Sequence, residues 1–189
     1  MNSMREKVLE YLKTHQVEYE CIEIEPEFAD TRIFCERYGY PMEHSCNTII
    51  VSSKKEPRQY CACVVLATTR LDVNRCVRKL MGVSKASFAN AEEMHKQTGM
   101  EVGGVTVFAL PEEIQLFVDR RIMELEWVIL GGGVRDTKFK TTPEVFEKIG
   151  AKIIEDLWQT TNLPRTMGGP LFGVNGAVIL GHGSSTAEG

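Results

Sequence analysis

The residues best placed to do chemistry in this 189-residue chain lie in two glycine-centred segments and one polar strand start. The first segment runs Thr98-Gly99-Met100-Glu101-Val102-Gly103-Gly104-Val105-Thr106-Val107-Phe108-Ala109-Leu110-Pro111. The second runs Trp127-Val128-Ile129-Leu130-Gly131-Gly132-Gly133-Val134-Arg135. Consecutive glycines beside β-branched runs leave backbone bare, either for a tight turn or for close approach of a ligand. Bare N–H groups can hold a carbonyl or phosphate oxygen, which is the chemistry of oxyanion stabilisation. The strand start is Asn47-Thr48-Ile49-Ile50-Val51. An asparagine amide can donate to an oxyanion, and the Thr48 hydroxyl can donate or accept a hydrogen bond. Plainer readings stand beside these: Asn47 satisfying local backbone, Thr48 as a simple β-former, and a bulge at Gly103-Gly104.

Other chemistries find less support. His15, His44, His95 and His182 are scattered, and no Ser-His-Asp or Cys-His arrangement is readable. The cysteines at 21, 35, 46, 61, 63 and 76 form no Cys-x-x-Cys pair, so neither a metal nor any other cofactor is expected. Cys61 and Cys63 bracket Ala62 in a strand-like run and should share one face as buried thiols. Gly131-x-Gly133 lacks the third glycine of a dinucleotide fingerprint.

The elements that must position these residues can be read in order. Ser3-Met4-Arg5-Glu6 is a capping box opening a helix to about Thr14, and Tyr19–Ile24 alternates like a strand. Asp30 caps a helix stopped by Gly39 and Pro41. Runs at 48–51 and 60–67 form a hairpin. Asp72 caps a helix ending at Gly82, and Asn90 with Glu93 caps another ending near Thr98. Strands are expected at 105–110, 114–119 and 127–130. A last helix, with Thr142 as cap and Pro143 at its first position, stops at Gly150. Helices and strands interleave, yet several strand pairs are too close for helical crossovers. The expected fold is α/β, a single domain with a mixed sheet surrounded by helices.

Hydrophobic residues make up 43% and charged residues 25%, and no apolar run approaches the ~20 residues of a membrane span. With a polar N-terminus, a cytoplasmic location is expected. The formal net charge is -4, so a nucleic-acid partner would need a local basic surface. Arg70, Arg75, Arg78 and Lys79, with Lys54, Lys55 and Arg58 nearby, are the candidates; a solvated helix face is the alternative. After Trp158 the composition turns rich in Gly, Thr and Ser. The chain therefore divides into a domain at 1–158 and a tail at 159–189.

In order and context these motifs resemble the YbaK/ProX family of aminoacyl-tRNA editing domains, over about Arg5 to Leu157. The resemblance rests on Asn47–Val51, on Ala67-Thr68-Thr69-Arg70-Leu71-Asp72-Val73-Asn74, on Gly82-Val83-Ser84-Lys85-Ala86-Ser87-Phe88, and on the two glycine segments. It implies hydrolysis of the ester between a wrong amino acid and tRNA, acting in trans as translation quality control. The implied partners are the acceptor end of an aminoacyl-tRNA and a synthetase. The family's lysine position falls on Asn47, and the Gly-x-x-x-Pro loop falls on Gly103, with Val107 at its proline. By this resemblance Asn47 and Gly103 are the catalytic positions, and Thr48, Gly104, Thr106, Gly131, Gly132, Gly133 and Arg135 bind substrate. Asn47 lacks the charge of lysine, and Val107 leaves the loop less pre-set. That departure motivates a second reading, a non-catalytic module binding aminoacyl-tRNA or an amino acid. Residues 168–185 resemble the C-terminal end of the bacterial phosphate acyltransferase of phospholipid synthesis, too short a stretch to assign transacylation.

Overall fold

A computed structural model describes residues 3–159. The tail from 160, with His182 and the acyltransferase-like stretch, lies outside the described residues.

Helix α1 (Met4–Thr14) opens on the expected capping box: Glu6 N–H donates to Ser3 Oγ and the Ser3 N–H to the Glu6 carboxylate. Strand β1 (Tyr19–Glu23) and helix α2 (Thr31–Tyr38) follow. The α2 start is capped by Asp30, and Gly39 at φ +75° ends it, a conformation that costs any residue with a Cβ. Then come β2 (Cys46–Ser53), β3 (Tyr60–Leu66) and β4 (Arg70–Leu71). Asp72 caps the next helix as expected, but its opening turn, Val73–Val77, is wound as a π-turn before α3 (Arg78–Leu80). The wider winding moves Arg75 out of the α-helical register with Arg78 and Lys79.

The rest of the chain supplies β5 (Ala86–Phe88), α4 (Ala91–Thr98), β6 (Gln115–Asp119), β7 (Val128–Gly131), β8 (Thr137–Thr141), α5 (Glu144–Lys148), β9 (Lys152–Ile154) and β10 (Trp158–Gln159). A five-stranded mixed sheet has the order β5-β2-β3-β6-β9. Its β5-β2 and β2-β3 pairs are antiparallel and its β3-β6 and β6-β9 pairs parallel. An antiparallel sheet β1-β8-β7 stands beside it, touching through a bridge from Ser45 to Ile129. The mixed α/β single domain expected from the sequence is therefore the fold observed, and residues 46–52 and 60–66 form the expected hairpin.

The short strands β4, β5, β9 and β10 were not expected, and the last helix has Pro143 rather than Thr142 at its N-cap, with no side-chain cap. Two further elements differ from expectation. Residues 105–110 are not a strand. Thr106, Val107 and Phe108 are buried, but they pack as a loop, with Ala109 at φ +56° breaking any extended run. Burial, not ladder pairing, explains their apolar character. The second is β8, which no sequence signal announced: Lys138 occupies a buried position that a strand pattern would give to an apolar residue. Cys61 and Cys63 do share a face, their sulfurs 3.9 Å apart in the core against Val65, Leu71 and Phe117.

Candidate functional site

Alternation along β2 sends neighbouring side chains to opposite faces, and this divides Asn47 from Thr48. Asn47 is 8% exposed and turns toward α2, where the Thr31 hydroxyl donates to its Oδ1 at 2.8 Å. Thr48, 5% exposed, lines a cavity of about 560 Å³. Ile49, Ile50, Val73, Met94, Val102 and Val105 give the cavity apolar walls, while Thr69, Arg70, Asn74, Asn90 and Gln159 add polar groups and Phe88 completes its rim. No Asp, Glu, His, Lys or Cys is among these lining residues. Gln159 is held by a hydrogen bond from its Nε2 to Asp72 Oδ1, which closes that side.

Two features of this cavity bear on what it could bind. The Thr48 hydroxyl is buried with no hydrogen-bond partner among the described residues. So is the hydroxyl of Thr106, next in the chain to the lining residue Val105. The Ser52 hydroxyl, on the same strand, is also buried without a partner among the described residues, so what sets Thr48 apart is that it lines the cavity. The second feature is a strand edge. Ala89 N–H donates to Ile50 O, and Lys54 N–H to Lys85 O, so even-numbered residues of β2 point their backbone groups away from β3. Strand β5 covers that edge only at Val51–Ser53. At Thr48 the backbone N–H and C=O therefore point away from β3.

The glycine segments meet one another rather than flank the cavity. Gly133 N–H donates to Gly104 O at 2.6 Å and Glu101 N–H to Gly133 O at 3.1 Å. A Cβ on Gly131 would run into the carbonyls of Val105 and Gly104, and one on Gly104 into the Val134 backbone; on Gly132 it would lie 2.6 Å from Thr137 O. Gly104, Gly131 and Gly132 are thus bare because backbone packs on backbone. Gly103, at φ +89°, abuts Ala29 and the Arg135 guanidinium. Arg135 ties the corner together, donating to Val102 O at 2.7 Å and Pro26 O at 2.8 Å, with its own N–H on Glu101. Of the residues expected to form a site, Thr48 lines the cavity, and Gly103 and Gly104 lie in the loop between its lining residues Val102 and Val105. Asn47, Thr106, Gly131, Gly132, Gly133 and Arg135 are not among its lining residues.

One buried cation carries no signal in the sequence. Lys138 is 4% exposed, its Nζ donates to Ala29 O at 3.0 Å and sits 5.0 Å from the Phe34 ring centroid. Burial lowers its pKa to about 8, with Arg135 adding to the effect and Cys35 and Asp30 opposing it. Arg70, Asn74, Phe88 and Asn90 were also outside the expected site, although Arg70, Asn74 and Phe88 stand in the very motifs that carried the family resemblance. A larger depression of about 790 Å³ lies between Arg58, Met81 and Gln115. Glu56, Glu92, Glu93 and Glu113 line it, and none of the orphaned hydroxyls does, so it suits neither a phosphate nor the ester chemistry.

Comparison with known proteins bears on the family and the fold. The aminoacyl-tRNA editing domain profile matches residues 25–149. The crystal structure of a hypothetical protein, APE2540, superposes with a TM-score of 0.73 at 28% identity, covering 82% of this chain and 100% of its own. A protein provisionally described as a trans-editing enzyme for prolyl-tRNA synthetase superposes at 0.71 with 19% identity, covering 85% of this chain and 99% of its own, a likeness of fold.

Proposed function

Because the chain belongs to the aminoacyl-tRNA editing domain family and so has a role in tRNA editing, we propose that it is a deacylase. In this reading it hydrolyses mischarged aminoacyl-tRNA in the cavity at Thr48. The observation that carries the reading is the unpartnered buried hydroxyl of Thr48 in a cavity whose lining residues Val102 and Val105 flank the loop of Gly103 and Gly104. The aminoacyl group enters between Ile50, Met94 and Val102, and the acceptor end lies across Arg70 and Asn90. Water attacks the ester carbonyl, the carbonyl oxygen gathers charge, and collapse releases the amino acid and the ribose hydroxyl. Thr48 offers two donors here, its hydroxyl and its edge-facing N–H, for the developing oxyanion or for the attacking water. With no general base among the lining residues, the proton passes through water or the neighbouring ribose hydroxyl. The prolyl system is the natural place to look for the substrate, given the trans-editing relative.

The test compares Thr48→Val with Thr48→Ser in single-turnover deacylation of mischarged tRNA. Valine keeps the shape and removes the hydroxyl. A fall of roughly 10²-fold for valine, with serine near the parent, supports the reading, on the scale of losing one oxyanion donor. Equal rates for all three proteins refute it.

The cavity lining, free of any lysine or general base, favours a second reading, in which the domain binds charged tRNA without cleaving it. That reading predicts saturable binding with ester loss no faster than in buffer.

A further inference from the structure

We propose that Phe88 is a stacking platform for the terminal, unpaired nucleobase of the RNA whose acylated end enters the cavity; this rests on the editing reading above. Phe88 is 57% exposed, more than any other large apolar side chain among the described residues. Scattered exposed apolar groups are ordinary, so exposure alone decides nothing. Its place does. Phe88 ends β5, the edge strand of the mixed sheet, and lines the rim of the Thr48 cavity. A flat aromatic on a sheet edge is a liability for edge-to-edge association unless something covers it.

The surroundings specify what covers it. Register pins Phe88 opposite Val51, and the next residue, Ala89, is hydrogen-bonded to Ile50, so the ring is carried on ordered backbone. Asn74 and Asn90, both exposed and both on the same cavity, offer amides that can meet a base edge, and Asn90 keeps its Oδ1 on Glu93 N–H while its Nδ2 stays available. Arg70 gives the rim a positive charge and no carboxylate lines it, which suits a phosphate and rejects an acidic peptide. The orphaned Thr48 hydroxyl sits further in. An aromatic face outside, amides and a cation beside it, and an unsatisfied hydroxyl within together match a nucleotide whose base stacks at the rim while its esterified ribose reaches inward.

The experiment uses the full chain and two RNA hairpins, one carrying the complete single-stranded acceptor end and one lacking only the terminal nucleotide. Phe88→Ala should weaken binding of the complete hairpin by roughly tenfold to a hundredfold and raise KM far more than it lowers kcat. It should change binding of the truncated hairpin little, and Phe88→Tyr should restore affinity. Phe88→Trp should show fluorescence quenching with the complete hairpin that neither the truncated hairpin nor the parent protein reproduces. Unchanged affinity in Phe88→Ala, or equal loss for both hairpins, overturns the stacking role. If Thr48→Val abolishes deacylation while Phe88→Ala binds and reacts like the parent, stacking falls and the editing reading stands. If the parent cleaves no charged RNA yet the tryptophan variant is quenched only by the complete hairpin, the deacylase reading falls and the stacking role stands.

Discussion

Thr48 and Asn47 are adjacent in sequence and different in surroundings: Thr48 lines the cavity and Asn47 is not among its lining residues. Thr48 has an unpaired hydroxyl in a cavity, whereas Asn47 has its Oδ1 on Thr31. The chemistry of both was legible from residue type; which face each takes was not, because β2 is buried on both sides and shows no polar–apolar alternation. Lys138 was illegible for a related reason: its burial depends on α2 and on the carbonyl of Ala29, more than a hundred residues away in sequence. It leads to a prediction about stability. A lysine held near a pKa of about 8 in the fold and at 10.5 when unfolded binds fewer protons folded than unfolded between those values. Its contribution therefore becomes more favourable as pH rises from 8 to 10.5, by roughly 3 kcal/mol in total. Lys138→Met should gain on the parent below pH 8 and lose that advantage by pH 10.5, measured as the difference between urea-unfolding free energies. The paired comparison matters, because burial raises the thiol pKa of Cys35 and, less deeply buried, of Cys76, and these act in the opposite sense as pH rises. A pH-independent difference between the two proteins would contradict this account of Lys138.

At the scale of elements, helix caps and stops were readable because they depend on local rules. Ser3, Asp30, Asp72 and Asn90 all cap where sequence placed them, and Gly39, Gly99 and Gly150 adopt positive φ at helix ends. The glycine corners were readable as places of close approach, but sequence could not say what approaches. The structure puts backbone there: Gly104 and Gly131 pack against each other's loops, strapped by Arg135. Gly131→Ala should therefore destabilise by at least about 3 kcal/mol, since its Cβ meets fixed carbonyls. Gly39→Ala, with open space around it and only its φ at fault, should cost about 1 kcal/mol. Chemical denaturation of the two variants checks the contrast, and equal costs would show that the corner yields. The loop at 105–110 was misread as a strand for want of a signal separating a buried loop from a buried strand, since both are apolar and β-branched.

Over the whole molecule, a net charge of -4 must still accommodate an RNA phosphate chain. Arg70, Arg75, Arg78 and Lys79 are all exposed, and among the described residues none of them is in an ion pair. Four glutamates, Glu56, Glu92, Glu93 and Glu113, line the depression that Leu80 and Met81 border at the end of the same helix. Binding of tRNA should then weaken with salt, the logarithmic slope steepening by about 0.7–0.9 for each phosphate met. Charge reversal of Arg75 and Lys79 together should flatten that slope by more than one, while reversal of Lys96, on the acidic side, should leave it unchanged. Filter binding across a salt series reads both. The mixed α/β fold was legible from strand spacing and the family motifs; the second sheet was not, because β8 hid behind its lysines.

The central claim is that the cavity at Thr48 breaks an aminoacyl ester. It is tested most directly by mixing the full chain in excess with a panel of mischarged tRNAs and following release of the free amino acid. The account predicts, for at least one pair, release well above the buffer rate that Thr48→Val brings down roughly 10²-fold. Release at the buffer rate across the panel, or release that is indifferent to Thr48→Val, would contradict it.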